Sequence, residues 1–168
     1  VNNDINECKR ARKQFGKSIA EFAAMKHKMG EMARKIFAAE SAIYRTGKNI
    51  DSKESELKKE GKSENEVKLE ALREFAIECA MMKVYSTEVL DYCVDESLQI
   101  HGGMGYSAET GVEMGYRDAR ITRIYEGTNE INRMLAFAEL MKRAFKTKEL
   151  NLKEAGKKIP ITLLKRFL

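Results

Sequence analysis

The sequence has no tryptophan, one proline and only two histidines. Its single proline, Pro160, falls near the end, so nothing in the preceding chain forbids long helices. The three cysteines, Cys8, Cys79 and Cys93, are odd in number and form no CxxC pair. Cys79 and Cys93 sit in apolar helical patterns, which makes them reduced core thiols. His27 and His101 lie far apart and lack ligand-type spacing, so no metal site is expected. No apolar run approaches the roughly 18 residues of a membrane-spanning helix. No charged-then-apolar leader with a cleavage site is visible. The chain opens on Val1 and is strongly charged within a few residues, so a fragment of a longer protein is expected.

What is present is charge, distributed unevenly. The net charge is +5, yet from Lys142 to Leu168 nine Lys/Arg face two acids, so that segment carries +7 and the remainder −2. The basic run lacks interleaved aromatics for base stacking, so it reads as a solvated tail rather than a nucleic-acid surface. Membrane association of this tail has only its charge to support it.

Three Ser/Thr-x-x-Glu boxes mark predicted helix starts. The first is Ser18 with Glu21, followed by Phe22, Met25, Met29, Met32, Ile36, Ala39 and Ile43 on one face of a helix expected to end near Arg45–Gly47. The second, Ser63 with Glu66, opens a long helix with Leu69, Leu72, Phe75, Ala76, Cys79, Met82, Val89, Leu90, Cys93 and Leu98 as core candidates. The charged segment between them, about 48–66, is expected to be a solvated excursion with at most a short helix over 52–60. The third, Thr110 with Glu113, begins a short helix to about Arg120. A fourth helix starts after Thr128 as N-cap, with Ile131, Met134, Leu135, Ala138 and Met141 or Leu140 as its buried stripe. Gly16 is expected to close an incoming helix. No alternating strand pattern occurs. Met25, Met29, Met32, Met81 and Met82 read as core filler. The fold class is all-α, an antiparallel four-helix bundle. The domain spans 1–146, and 147–168 begins a basic extension.

Two segments carry candidate chemistry. In HGGMGYSAETG, Gly102, Gly103 and Gly105 let backbone approach another object, either a neighbouring helix or a flat ligand or phosphate. In RDARITRIYEGTNEINR, the Gly127-Thr128 pair interrupts a charged strip, so Glu126 sits in a connection between helices. Glu126 is then either an exposed acid pairing with Arg120 or Arg123, or a placed base. Arg117, Asp118 and Arg120 are expected to form structural ion pairs.

RKQFGKSIAEF, LQIHGGMGY and RDARITRIYEGTNEINR, in this order, resemble the C-terminal helical domain of the acyl-CoA dehydrogenase family of flavoenzymes. The match covers roughly Cys8 to Lys146 apart from the charged excursion. GGMG and the continuation beyond the last helix resemble the very-long-chain-type members, which carry a C-terminal extension.

The resemblance implies an FAD-dependent enzyme that oxidises acyl-CoA to trans-2-enoyl-CoA in fatty-acid β-oxidation and passes electrons to an electron-transfer flavoprotein. It implies Glu126 as catalytic base, removing the α-proton while a hydride leaves the β-carbon, with Tyr125 and Gly127 at the substrate. Burial beside an acyl chain strengthens a carboxylate base. Arg12, Gln14 and Phe15 match residues that reach the FAD of an adjacent subunit. Gln99, Gly102 and Gly103 match contacts to the adenine half of the cofactor, and Thr128, Asn129 and Glu130 match another flavin contact. A homo-oligomer is implied, in the cytoplasm of a bacterium or the mitochondrial matrix of a eukaryote. An acyl-CoA oxidase is the alternative within the family. A non-catalytic nucleic-acid-binding or scaffold member is the alternative outside its chemistry. Ala23 departs from the pattern, because many members place a flavin-contacting Gln there. The family's N-terminal helical and β domains are missing, so the chain alone is expected to be inactive.

Overall fold

The computed structural model describes residues 12–146. The incoming helix expected before Gly16 and the basic extension from residue 147 fall wholly or partly outside these residues. The chain begins as a small antiparallel hairpin, β1 (Lys13–Gln14) and β2 (Lys17–Ser18), with Lys13 opposite Ser18 and Gln14 opposite Lys17. Phe15 and Gly16 turn it with φ of 52° and 80°. Gly16 therefore serves a hairpin and not a helix end.

The Ser18–Glu21 box forms as expected, but it caps a short 3-10 turn, Ile19–Glu21. The extended backbone of Phe22 separates that turn from α1 (Ala23–Lys59). Helix α1 does not stop at Gly47. A glycine costs a helix only about 1 kcal/mol relative to alanine, and Leu57 and Ile50 find apolar partners in Val67 and Ala71. Leu57 is 2% exposed and Val67 fully buried. The charged stretch expected to be an excursion is thus largely a helical extension with its own small core.

The Ser63–Glu66 box caps α2 (Glu64–Glu74) reciprocally. The helix expected to run through Leu98 breaks at Phe75, whose φ of −103° and ψ of 22° leave the helical region. Helix α3 (Ala76–His101) follows. Leu69, Leu72, Leu90 and Met81, read from sequence as core, are 41–53% exposed. Val67 and Ala71 are buried in α2 instead, because that helix packs on the end of α1.

After α3 come the one-turn α4 (Gly103–Tyr106), a 3-10 turn at Ala108–Thr110, α5 (Val112–Ile121) and α6 (Asn129–Lys146). Thr110 does not cap α5. Gly111, left-handed at φ 68°, takes the cap position, and the Thr110 hydroxyl donates backwards to the Met104 carbonyl oxygen at 2.7 Å. Helix α3 is the hub, packed by α1, α5 and α6. It runs antiparallel to α1, whose Lys28 pairs with Glu96, and to α6, whose Arg143 reaches the carbonyls of Arg73 and Glu74. The main core joins Met32 and Ala39 of α1 to Val89, Cys93 and Ile100 of α3, with Met25, Met29 and Ile36 around it. Burial raises the pKa of both Cys79 and Cys93, and both are free thiols.

The expected stripe of α6 is not buried: Ile131, Met134, Leu135 and Leu140 are 40–64% exposed. The helix turns Asn129, Asn132 and Ala144 inward instead. Polar groups at its first turn hold the chain reversal that precedes it. Among the described residues, no helix is long and apolar enough to cross a membrane.

Candidate functional site

The connection between α5 and α6 is compact. Thr122, Ile124 and Tyr125 still donate backwards to the carbonyls of Ala119 and Ile121, tightening the end of α5. The chain then reverses at Glu126 and Gly127, with φ of 56° and 77°. A left-handed backbone costs a residue with a β-carbon about 1–2 kcal/mol, so Glu126 needs surrounding structure to hold it. Asn129 N–H closes the reversal on the Arg123 carbonyl at 3.1 Å. Thr128 caps α6 as expected, its hydroxyl oxygen accepting from Ile131 N–H at 3.3 Å.

Side chains fasten the same turn. Asn132 Nδ2 donates to the Gly127 carbonyl oxygen at 2.9 Å and to that of Thr128 at 3.1 Å. Lys83 Nζ, from α3, donates to the Gly127 carbonyl oxygen and to Asn129 Oδ1, both at 2.8 Å. Asn129 is 2% exposed, and its Nδ2 donates to the Thr87 hydroxyl at 3.0 Å. A Cβ on Gly127 would lie 3.2 Å from Asn132 Nδ2, so the glycine leaves space that this amide uses.

Glu126 itself is exposed and forms no ion pair among the described residues. Arg123, one of its expected partners, pairs with Asp91 at 3.1 Å instead, and its Nε is buried without a hydrogen-bond partner among those residues. Arg123, Thr128, Asn129 and Glu130 line a cleft of about 160 Å³ beside the reversal. The Glu130 carboxyl is held below its ordinary pKa by its own backbone N–H and then by the Thr128 hydroxyl.

A larger cavity of about 700 Å³ lies alongside, lined among others by Leu98, Tyr106, Tyr116, Arg117, Arg120 and Ile124. Arg117 and Arg120 face this space, and with Asp118 they form none of the expected ion pairs among the described residues. The spacing of Tyr116, Arg120 and Ile124, four residues apart, was the available sequence signal for a shared face.

A second cluster forms where the hairpin meets the end of α3. Arg12, Gln14, Phe15, Phe22, Gln99 and Gly102 help to line a cavity of about 340 Å³. Arg12 Nη1 donates to the His101 carbonyl oxygen at 2.8 Å, across 89 positions of sequence. The object that Gly102 admits is this guanidinium: a Cβ there would fall 2.6 Å from Arg12 Nη1. Gly105 instead admits the end of α3, at the Leu98 carbonyl oxygen and the His101 side chain, while Gly103 borders open space. Phe15 is 93% exposed and meets Phe22 edge-on, ring centroids 6.4 Å apart. Of the sequence-derived cofactor residues, five meet at the hairpin cavity and Thr128, Asn129 and Glu130 meet at the reversal. Gly103 joins neither set.

Lys83, Thr87 and Asn132 join the site although none is among the sequence-derived site residues. The signal for Lys83 was its isolation as the only charged residue from Cys79 to Thr87.

The helical bundle is matched by known proteins. Residues 4–141 match the family model of the acyl-CoA dehydrogenase C-terminal domain. A probable acyl-CoA dehydrogenase of Bacillus subtilis is 44% identical over 80% of this chain and 23% of its own length. The crystal structure of an acyl-CoA dehydrogenase complexed with FAD from Bacillus anthracis superposes with a TM-score of 0.81 at 43% identity, over 92% of this chain and 26% of that one. The caffeyl-CoA reductase–Etf complex subunit CarC of Acetobacterium woodii is 35% identical over 79% of this chain and 30% of its own. The chain belongs to the acyl-CoA dehydrogenase family and carries its C-terminal helical domain. It spans between a fifth and a third of the length of these relatives.

Proposed function

We propose that this chain is the C-terminal part of an FAD-dependent acyl-CoA dehydrogenase in which Glu126 removes the α-proton of an acyl thioester. The carrying observation is the backbone at Glu126: a left-handed acid between two helices, followed by a left-handed glycine. Glu126 is exposed and lies on neither helix, so its carboxylate projects from the turn.

The residues present fit FAD. Arg12 offers a guanidinium with several donors, one of them given to His101, beside the small Gly102. The orphaned Arg123 Nε and the capped start of α6 supply donors at the other cluster. When bound, FAD supplies the hydride acceptor. Glu126 takes the proton, the Gly127 backbone meets the thioester, and Tyr125, half exposed, borders the approach. The hairpin cluster and the Thr128–Glu130 cluster line different cavities, which suits an oligomer in which each chain serves two cofactors. Ala23 gives no polar contact where many members use Gln.

Electron-transfer flavoprotein is the proposed electron acceptor, in fatty-acid β-oxidation, and the likeness to a subunit of an Etf complex supports that choice. That relative's name also favours a second reading, in which the same residues run in the reducing direction and Glu126 returns a proton to an enoyl thioester. The isolated chain is proposed to be inactive, since it spans about a quarter of the family proteins it matches.

Anaerobic mixing of the full-length protein with acyl-CoAs of increasing length tests the reading. Bleaching of the flavin by saturated acyl-CoA supports it. Flavin that stays oxidised with every saturated thioester, while the reduced protein is reoxidised by enoyl thioesters, establishes the reducing direction instead. Rapid oxygen consumption marks an oxidase.

A further inference from the structure

Lys83 lies on α3 amid apolar neighbours and is half-buried. A cation in such a place needs acceptors, and Lys83 has two: the Gly127 carbonyl oxygen and Asn129 Oδ1. From α6, Asn132 Nδ2 faces three successive carbonyl oxygens, those of Gly127 at 2.9 Å, Thr128 at 3.1 Å and Glu126 at 3.4 Å. Asn132 is 9% exposed. Carbonyl dipoles gathered on one side of a left-handed reversal repel one another. An ammonium and an amide placed among them remove that repulsion, and the charge-assisted bond is the stronger.

Glu126 has no helical hydrogen bonds to fix its backbone. The backbone from which its carboxylate projects is held on its C-terminal side, where the carbonyls are bonded by two side chains from two different helices. We propose that Lys83 and Asn132 are positioning residues for Glu126: they clamp the reversal from two different helices and so fix the base relative to the α-proton it removes. The inference rests on Glu126 being the base.

The test uses the full-length flavoprotein with the variants Lys83→Met, Asn132→Asp, Glu126→Gln and Lys83→Arg, and the double variant Lys83→Met with Glu126→Gln. One readout is exchange of the α-protons of a 3-thia-acyl-CoA with deuterated water. Sulfur at the β position leaves no hydride to transfer, so this readout follows proton removal alone. Flavin bleaching, the substrate concentration at half-saturation and FAD content complete the set.

Lys83→Met and Asn132→Asp each keep FAD and slow both exchange and bleaching at least about tenfold, as a misplaced catalytic group does. The half-saturating substrate concentration moves less than about threefold, since ground-state binding is untouched. Lys83→Arg, which retains donors, restores much of the rate. In the Glu126→Gln background, Lys83→Met adds no further loss. Normal exchange in the two single variants alongside slow Glu126→Gln overturns the positioning role and leaves the base intact. Normal exchange in Glu126→Gln removes the base and this proposal together. A further loss in the double variant, or loss of FAD in both single variants, overturns the proposal in favour of a structural role. If only one variant loses FAD, the other decides.

Discussion

Arg12 Nη1 lies 2.8 Å from the carbonyl oxygen of His101, and Gly102 is what lets it lie there. The contact joins the start of the described chain to the end of α3. Gly102 has φ 62° and ψ −143°, a region that side chains with a β-carbon avoid. Gly102→Ala would strain the backbone and displace the guanidinium together. Denaturant titration of the full-length protein is expected to show a loss of about 1–3 kcal/mol, with faster FAD release. Gly103→Ala, which meets nothing within 4 Å, is the stability control. Its effect is expected within about 0.5 kcal/mol.

Leu57 holds the far end of α1 against α2. Leu57→Ala removes a side chain that is 2% exposed. Its cost is about 2–5 kcal/mol if the cavity does not collapse. Hydrogen exchange should accelerate over residues 50–74, while the flavin bleaching rate stays unchanged, because this small core touches neither site cluster.

The Ser63–Glu66 box makes the start of α2 sensitive to acid. The Ser63 hydroxyl, and then the Ser63 backbone N–H at 3.1 Å, hold the Glu66 carboxyl below its ordinary pKa. A carboxyl depressed in the folded state stabilises it above the ordinary value, and that contribution is lost as the pH falls through the depressed one. Amide protection factors over residues 64–67 should therefore drop as the pH is lowered through and below the carboxylate range. Glu66→Gln keeps a partner for the cap and should flatten this dependence. An equally steep drop in the variant would show that another group is responsible.

Local signals were legible in the sequence, and distant ones were not. The Ser63 box and the Thr128 cap form as their spacing predicts, because each hydrogen bond closes within three residues. The connection at Glu126 was legible for the same reason. The Ser18 box forms its bonds yet opens a 3-10 turn, and Ile19 within it and Met25 after it pack against a core built from distant residues. The continuation of α1 past Gly47 depends on Val67 and Ala71, which no window around Gly47 contains. The apolar stripe of α6 does not mark its buried face, because Asn129 and Asn132 turn inward to serve the reversal, which leaves Ile131 and Met134 outside. Arg12 on the His101 carbonyl could not be foreseen from spacing. The roles of Glu126 and the flavin residues came from family resemblance and not from periodicity.

Glu126→Gln in the full-length protein is the most direct measurement. The amide keeps the side chain's size and its place in the reversal but cannot accept the α-proton. FAD is expected at normal content, with bleaching by acyl-CoA slowed at least about a hundredfold, the lower bound of what a general base contributes. Bleaching at the wild-type rate would contradict Glu126 as the base.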